Sequence, residues 1–148
     1  MIIETYSDKY SDDVSRLVEL FYGEAISEYN GAFSREGMRS TIESLKAHHS
    51  QYCFLMIIDG KAEGIFAGLG MTPMGSDRLM FQELIWYVNP EYRSRGIKLY
   101  HEAERRLQSY GISAIIMAVM ENSKTDKIKD FYTRLGYKQF EVHYIKDI

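Results

Sequence analysis

One stretch of the chain, residues 79–111, constrains the fold more than any other, because it joins an apolar run, a short basic turn and an amphipathic helix. The apolar run, residues 84–88 (LIWYV), is typical of a buried strand, and the helix repeats its apolar residues at helical spacing. Those helix residues are Ile97, Tyr100, Ala103, Leu107 and Tyr110. A second apolar run, residues 113–120, follows the helix. The stretch therefore predicts a βαβ unit with parallel strands and a right-handed crossover.

The basic turn between this strand and this helix is chemically suited to an anion. The first backbone N–H groups of a helix have no partner within it, and the helix dipole places partial positive charge there. Arg93 and Arg95 add charged, forked donors that match phosphate oxygens. Gly96 removes a side chain that would hold a ligand away from the backbone, and it can adopt a positive φ. The turn predicts a phosphate site, while an ordinary strand-to-helix turn with a solvated basic rim remains the alternative.

Periodicity and turn residues predict the remaining elements. Apolar residues at helical spacing predict a first helix over residues 11–25, and Ser34 is placed to cap a second helix that runs through Leu45. The dipeptide Asp59-Gly60 predicts a tight hairpin between two antiparallel strands. Further segments are expected as strands at residues 1–6, 51–58, 62–71, 79–88 and 137–146, and as a short helix at 128–135.

Length and composition indicate a single domain over residues 1–148, with 45% hydrophobic residues to form its core. The formal net charge of −3 gives no broad basic field, so we expect no nucleic-acid partner. No apolar run approaches the roughly 20 residues needed to span a bilayer, and the amino terminus lacks a secretory pattern. We therefore expect no membrane association and a cytoplasmic location. Cys53 is expected in the core, and no ligand cluster predicts a metal site.

Residues 88–98 (VNPEYRSRGIK) resemble the acetyl-CoA-binding signature of the GNAT superfamily of N-acetyltransferases, (Q/R)-x-x-G-x-(G/A). Arg93 and Gly96 fill the first two defined positions, whereas Lys98 replaces the small third residue. The predicted element order, β-α-α-β-β-β-α-β-α-β, is also that of the superfamily, so the resemblance covers the whole chain. It implies a GNAT-like α/β (α+β) fold. This is a mixed, splayed, mostly antiparallel central sheet flanked by four helices, with a parallel βαβ unit at the cofactor site.

The resemblance also implies that the chain binds acetyl-CoA (coenzyme A) at this turn and along the strand before it. Main-chain groups of Trp86 and Val88 would bind the pantetheine amides. The turn would hold the pyrophosphate, through Arg93, Ser94, Arg95, Gly96, Ile97 and Lys98. The long side chain of Lys98 would either crowd the pyrophosphate or pair with it.

A second superfamily signature is an Asn followed by a Tyr-x-x-x-Gly-aromatic element, and Asn122 with Tyr132, Gly136 and Tyr137 resembles it. The resemblance implies that Asn122 contacts the cofactor. It also implies that Tyr132 contacts the cofactor and donates a proton to the leaving thiolate. The alternative for Tyr132 is a core aromatic residue of the short helix, although Phe131 could fill that position instead.

Glu83 is the preferred general base, a choice that follows from its own place in the chain. An alkylammonium must lose a proton before it attacks a thioester, which costs about 4 kcal/mol near pH 7.4. Glu83 is a carboxylate in an otherwise apolar central strand, where burial would raise its pKa toward the working range. Alternatively, Glu83 pairs with a buried Arg or Lys or points to solvent. A one-residue bulge could also exchange it with Gln82.

We therefore expect an acetyl-CoA-dependent N-acetyltransferase that acts on a primary amine by direct attack. The alternative is a catalytically silent acyl-CoA-binding or regulatory module on the same fold, which Lys98 favours. The acceptor would be a small-molecule amine or a protein amine. Because the superfamily uses its first two helices for substrate, Tyr22, Tyr29 and Phe33 are the substrate-binding candidates. Superfamily members often dimerise, so a homodimer is also among the expectations.

Overall fold

The computed structural model describes residues 1–26, 31–121 and 124–148, which pack as two compact units, Met1–Ala118 and Val119–Ile148. The first unit contains a five-stranded sheet whose strands lie in the order in which they occur in the chain. These strands are β1 (Ile2–Thr5), β2 (Cys53–Ile58), β3 (Lys61–Met71), β4 (Met80–Val88) and β5 (Ala114–Ile116). The second unit contains one helix, α4 (Thr125–Arg134).

Strands β1 to β4 pair antiparallel, and only β4 and β5 pair in parallel. The helix α3 (Gly96–Ser109) connects the two parallel strands, so the predicted βαβ unit is confirmed. Two further helices, α1 (Ser11–Phe21) and α2 (Arg35–His49), lie between β1 and β2 in the chain. The mixed sheet, with four α-helices in the described part of the chain, confirms the expected GNAT-like fold class. None of the described helices is long and apolar enough to cross a membrane.

Two local predictions are confirmed in detail. Asp59 and Gly60 both have positive φ, 49° and 80°, as expected for a tight hairpin turn between β2 and β3. The Ser34 side chain caps α2, because its Oγ accepts a hydrogen bond from the Gly37 N–H at 3.0 Å. Both signals act within a few residues, so the sequence alone is sufficient to predict them.

Two predicted boundaries and one predicted strand differ most from the structure. Helix α1 ends at Phe21 rather than residue 25, because the chain widens into a single π-helical turn, Tyr22–Ile26. Strand β5 has three residues rather than the eight expected at 113–120, because its pairing with β4 stops at Ile116. Residues 137–146 form no strand of the sheet. Their alternating apolar pattern shows which side chains would share a face, but a strand also requires a hydrogen-bonded neighbour.

The sheet of the first unit buries apolar side chains on both faces. On one face, Leu55, Ile65 and Ile85 belong to a buried cluster with Val14 and Leu17 of α1. On the other face, the rings of Phe66 and Phe81 stack at 5.4 Å, and Phe66 meets Tyr100 of α3 edge to face. Apolar packing on both faces buries Phe66 and Phe81 completely, and Glu83 is the buried polar residue of β4.

Glycines in β3 allow close approach of neighbouring groups. A Cβ built on Gly68 would lie 2.1 Å from the Gln82 carbonyl oxygen and 2.7 Å from the ring of Phe81. A Cβ on Gly70 would lie 2.6 Å from the ring of Tyr52. These contacts are too short for any residue except glycine, so β3 can pack against β4 in this way only with glycine at position 68.

We predict that Gly68→Ala lowers the free energy of unfolding by about 1–3 kcal/mol, the usual range for overpacking a core. Urea unfolding followed by circular dichroism measures the change. Gly23→Ala is the matched control, because no atom lies within 4 Å of a Cβ built there. Equal stability of the two variants would contradict the close packing of β3 against β4.

Candidate active site

Glu83 lies at the point where β4 and β5 part. The last backbone pair between these strands is Gln82 with Ile116, and Glu83 is the next residue of β4. Its carboxylate oxygen Oε2 accepts a hydrogen bond from the Ala118 N–H at 3.1 Å. A side chain therefore takes over the bonding at the place where the backbone pairing of the two parallel strands ends.

Burial makes Glu83 a much weaker acid than an ordinary glutamate. The residue is only 7% exposed, and burial raises its pKa to about 7, while the hydrogen bond from Ala118 acts in the opposite direction. The expected rise in pKa is confirmed, and the alternative in which Glu83 points to solvent is wrong. Among the described residues, no arginine or lysine forms an ion pair with it. A carboxyl with a pKa near 7 can both take up and release a proton at neutral pH.

A bulge in β4 follows directly after Glu83. Gly68 of β3 pairs with Glu83 and Ala67 pairs with Ile85, so Leu84 has no partner in β3. The bulge leaves the Leu84 side chain 47% exposed. It does not exchange Glu83 with Gln82, because the extra residue comes after Glu83, which remains the buried member of the pair.

Strand β4 continues beyond the end of its pairing with β5. That pairing ends at Gln82, and Trp86 and Val88 lie further along β4. The Trp86 ring packs against Tyr100 of α3, with ring centres 5.3 Å apart. The Val88 carbonyl oxygen accepts a hydrogen bond from Arg93 Nε at 3.5 Å. Main-chain groups of a strand can bind the amides of an extended ligand.

The basic turn is itself helical. It forms a 3₁₀ helix, Pro90–Arg95, that continues directly into α3, and the Gly96 N–H donates to the Arg93 carbonyl oxygen. Gly96 has φ −59°, so it does not use the positive φ that glycine permits. A Cβ on Gly96 would lie 3.3 Å from Val88 Cγ2, which shows that glycine here allows α3 to begin close to β4.

Arg93 is held by an acidic residue that the sequence did not suggest. Its Nη2 lies 2.5 Å from Glu24 Oε2, in the π-helical turn after α1. The other Glu24 oxygen accepts a hydrogen bond from the Tyr87 hydroxyl at 2.7 Å. Glu24 and Arg93 are 69 residues apart, and no local pattern links them. The pair ties the end of α1 to the basic turn.

The other basic residues of the turn face solvent. Ser94, Arg95 and Lys98 are exposed, and the Arg95 guanidinium lies 5.6 Å from the centre of the Tyr92 ring. Ile97 is half-buried. The first turn of α3, which the structure describes completely, contains no acidic residue. Two exposed cations beside a helix amino terminus suit an anionic group such as a pyrophosphate.

Two of the three substrate-binding candidates lie in contact. The rings of Tyr22 and Phe33 meet edge to face at 5.4 Å, and the Tyr22 hydroxyl donates to the Gly31 carbonyl oxygen at 2.9 Å. The third candidate, Tyr29, lies outside the described residues. Tyr22 and Phe33 therefore form one aromatic surface after α1.

In the second unit, Tyr132 lies on α4 and is half-buried. Its ring centre is 5.5 Å from that of Tyr137, and its carbonyl oxygen accepts the Tyr137 N–H at 3.0 Å. Gly136, with φ 90°, allows the chain to reverse between them. Asn122 lies outside the described residues, so its contact with a cofactor stays a prediction, as does the proton transfer from Tyr132.

The chain resembles known proteins in sequence family and in fold. A family model described as the acetyltransferase (GNAT) family matches residues 18–137. An aminoglycoside acetyltransferase from an uncultured soil metagenomic sample superposes with a TM-score of 0.71 and 17% identity, covering 99% of this chain and 97% of that chain. Glucosamine-6-phosphate N-acetyltransferase from Arabidopsis thaliana superposes with a TM-score of 0.69 and 14% identity, covering 99% of this chain and 97% of that chain. At these identities the structures show a shared fold.

A third structure of the same fold was solved with a ligand. AAC(6')-Iy, in complex with the bisubstrate analogue CoA-S-monomethyl-acetylneamine, gives a TM-score of 0.68 and 17% identity, covering 99% of this chain and 98% of that chain. None of the curated proteins matches the chain in sequence.

The raised pKa of Glu83 predicts a specific dependence of stability on pH. The unfolded carboxyl ionises near pH 4.5, but the folded one remains protonated until about pH 7. Between these values the folded state binds more protons, so rising pH reduces the stability of the wild type relative to Glu83→Gln. We predict a relative loss of about 3 kcal/mol across this window, measured by urea unfolding of both proteins at several pH values.

Glu102→Gln is the control for this experiment. Hydrogen bonds from Arg105 and Arg106 lower the pKa of Glu102 to about 2, so its contribution to stability changes only below pH 4.5. The difference between wild type and Glu102→Gln should therefore be constant from pH 4.5 to 7. A constant difference for Glu83→Gln as well would contradict the burial of the Glu83 carboxyl.

Proposed function

Because the chain belongs to the acetyltransferase (GNAT) family, we propose that it transfers the acetyl group of acetyl-CoA to a primary amine by direct attack of the amine nitrogen. Membership confirms the resemblance given by residues 88–98 and the prediction that the chain is an acetyltransferase. The observation that carries the proposed mechanism is the buried carboxyl of Glu83, with a pKa near 7, at the point where β4 and β5 part.

Glu83 acts as the general base in this proposal. A primary alkylammonium has a pKa near 10.4, so only about one molecule in a thousand is neutral near pH 7.4. The Glu83 carboxylate takes the proton from the incoming ammonium, directly or through a water molecule, and leaves a nucleophilic amine. The Ala118 N–H hydrogen bond fixes one oxygen, so the carboxylate is held in a single orientation. General bases of this kind typically contribute 10²–10⁴-fold to the rate.

The leaving group needs a proton donor. When bound, acetyl-CoA supplies an activated acetyl group as a thioester, and the sulfur departs as a thiolate. Tyr132, on α4, is the proposed donor of a proton or hydrogen bond to that sulfur. The family signature that includes Gly136 and Tyr137 supports this role. A donor lowers the barrier because a free thiolate is poorly stabilised in a dry cleft.

The exposed groups of the basic turn support binding of coenzyme A. Arg95 and Lys98 supply charge for the pyrophosphate, with Ser94, Gly96 and Ile97 in the same turn. Main-chain groups of Trp86 and Val88, beyond the end of the pairing between β4 and β5, are the proposed partners of the pantetheine arm. Arg93 can join the phosphate site if its pair with Glu24 opens. Asn122 is the remaining residue proposed to bind coenzyme A.

A small-molecule amine is the proposed acceptor. Structures of the same fold include an aminoglycoside acetyltransferase and a glucosamine-6-phosphate N-acetyltransferase, which supports an acceptor of this size. The aromatic surface of Tyr22 and Phe33 is the proposed wall on the acceptor side. A protein amine and a homodimeric assembly remain predictions.

One observation favours a second candidate, a silent CoA-binding module. Lys98 stands where the family signature has Gly or Ala, and Arg93 is engaged with Glu24. Such a module would bind coenzyme A without turnover. A thiol-release assay separates the two candidates, because an enzyme releases free coenzyme A only when an amine acceptor is present.

We predict that the wild type releases thiol from acetyl-CoA with at least one member of a panel of primary amines. Tyr132→Phe should lower kcat at least tenfold and leave the Kd for acetyl-CoA within twofold, because it removes the proton donor and keeps the ring. Tyr144→Phe is the matched control, since Tyr144 is 94% exposed. Binding of acetyl-CoA without thiol release from any amine would favour the silent module.

The phosphate site gives a separate prediction. Arg93→Ala combined with Arg95→Ala should weaken acetyl-CoA binding at least tenfold, because each charged contact to phosphate contributes about 1.5–3 kcal/mol. Calorimetric titration measures the change, and the loss should shrink at high salt. Arg39→Ala combined with Arg105→Ala removes the same charge elsewhere. If both double variants bind acetyl-CoA with the wild-type Kd, the placement of the phosphates is wrong.

A further inference from the structure

We propose that Glu24 competes with the pyrophosphate of coenzyme A for the guanidinium of Arg93, and thereby sets the affinity of the protein for its cofactor. This inference rests on the proposed function, because it assigns a role to a residue outside the proposed cofactor site. Glu24 is then a positioning residue that acts through Arg93. In the free protein it holds the guanidinium, and in the complex the pyrophosphate takes the guanidinium over.

The guanidinium of Arg93 is held at the end of β4. Its Nη2 lies 2.5 Å from Glu24 Oε2, and its Nε donates a long hydrogen bond, 3.5 Å, to the Val88 carbonyl oxygen. The guanidinium carbon lies 5.9 Å from the centre of the Tyr87 ring. The Tyr87 hydroxyl also orients the carboxylate, since it donates to Glu24 Oε1 at 2.7 Å. Both members of the ion pair therefore have defined positions before a ligand binds.

The three cations of the basic turn and the first turn of α3 differ in how far their charge is compensated. Arg93 forms an ion pair with Glu24, whereas no acidic group within the described residues forms one with Arg95 or Lys98. Arg93 is also the residue that fills the first defined position of the family signature. The cation that best matches the signature is thus the one whose charge an internal carboxylate already compensates.

The competition is electrostatic and not steric. A guanidinium has five N–H groups, and the contacts to Glu24 and Val88 use two of them, so a phosphate can still approach Arg93. A phosphate on the same guanidinium would lie beside the Glu24 carboxylate, and two like charges at this range repel each other. The Arg93 and Glu24 side chains are 47% and 38% exposed, so opening the pair costs little. Pyrophosphate can therefore displace the carboxylate, with some loss of affinity.

Glu24→Gln tests the competition, because it keeps the size of the side chain and removes its charge. The Kd for coenzyme A, measured by calorimetric titration, should fall at least threefold, which lies within the range of an exposed ion pair. Glu19→Gln is the matched control. Glu19 is an exposed glutamate of α1 that pairs with Arg35 at 3.6 Å, so its loss changes the net charge equally and should leave the Kd unchanged.

The same substitution in an Arg93→Ala background shows whether the contact itself is responsible. Without Arg93, Glu24→Gln should lower the Kd less than 1.5-fold, because no guanidinium is left to compete for. A gain that is equally large without Arg93 would overturn the proposal, since it would arise from general repulsion of phosphate. An unchanged or higher Kd for Glu24→Gln in the presence of Arg93 would also overturn it. That result is expected if the pair only joins α1 to the basic turn.

These titrations require no turnover, so they separate the competition from acetyl transfer. A threefold gain that requires Arg93, found without thiol release from any amine, would support the competition and contradict the proposed function. Acetylation of an amine by a protein whose Kd for coenzyme A is unaffected by Glu24→Gln would overturn the competition and leave the proposed function in place.

Discussion

The hydrogen bond between the Ala118 N–H and the Glu83 carboxylate is the interaction on which the site depends. Parallel strands that part leave backbone amides that need other hydrogen-bond acceptors. The Glu83 Oε2 atom accepts a hydrogen bond from the Ala118 N–H at 3.1 Å, just beyond the last backbone pair of the two strands, Gln82 with Ile116. This hydrogen bond bridges β4 and β5 where their backbone pairing has ended. The carboxyl that makes it is buried, and burial raises its pKa to about 7.

The packing behind β4 determines where this carboxyl points. Gly68 has no side chain, so the Phe81 ring and the Gln82 carbonyl approach β3 closely. The bulge at Leu84 then shifts the register, and Ile85 faces the cluster under α1 while Glu83 lies beside β5. The same bulge leaves Leu84 47% exposed. One irregularity in one strand thus affects both the position of the proposed base and the exposure of the residue after it.

The sequence predicts most of the fold because its strongest signals are local. Asp59-Gly60 and Ser34 act within a few residues, and the βαβ unit follows from a strand, a turn and a helix in succession. Glu83 could be predicted as a buried carboxylate because its neighbours on β4 are apolar. The length of β5 could not be predicted, because it depends on where β5 separates from β4. The expected strand at 137–146 failed for a related reason, since alternation does not specify a partner.

The least predictable part of the site is the basic turn. Its composition indicated positive charge at Arg93 and Arg95, and both residues are exposed. It did not indicate that Glu24, 69 residues away, pairs with Arg93, because that contact depends on the tertiary fold. Gly96 could have adopted a positive φ, but it has φ −59° and instead allows close packing against Val88. A glycine in a signature can meet either requirement, and only the structure distinguishes them.

The most direct test of the account is the ratio of kcat/KM between the wild type and Glu83→Gln, measured from pH 5 to 9 with one amine. The ratio cancels the ionisation of the amine itself. If Glu83 is the base, the ratio rises with pH, levels off above about pH 7 and reaches 10²–10⁴. A ratio that stays constant across this range would contradict the account, because the Glu83 carboxylate would then take no part in removing the proton.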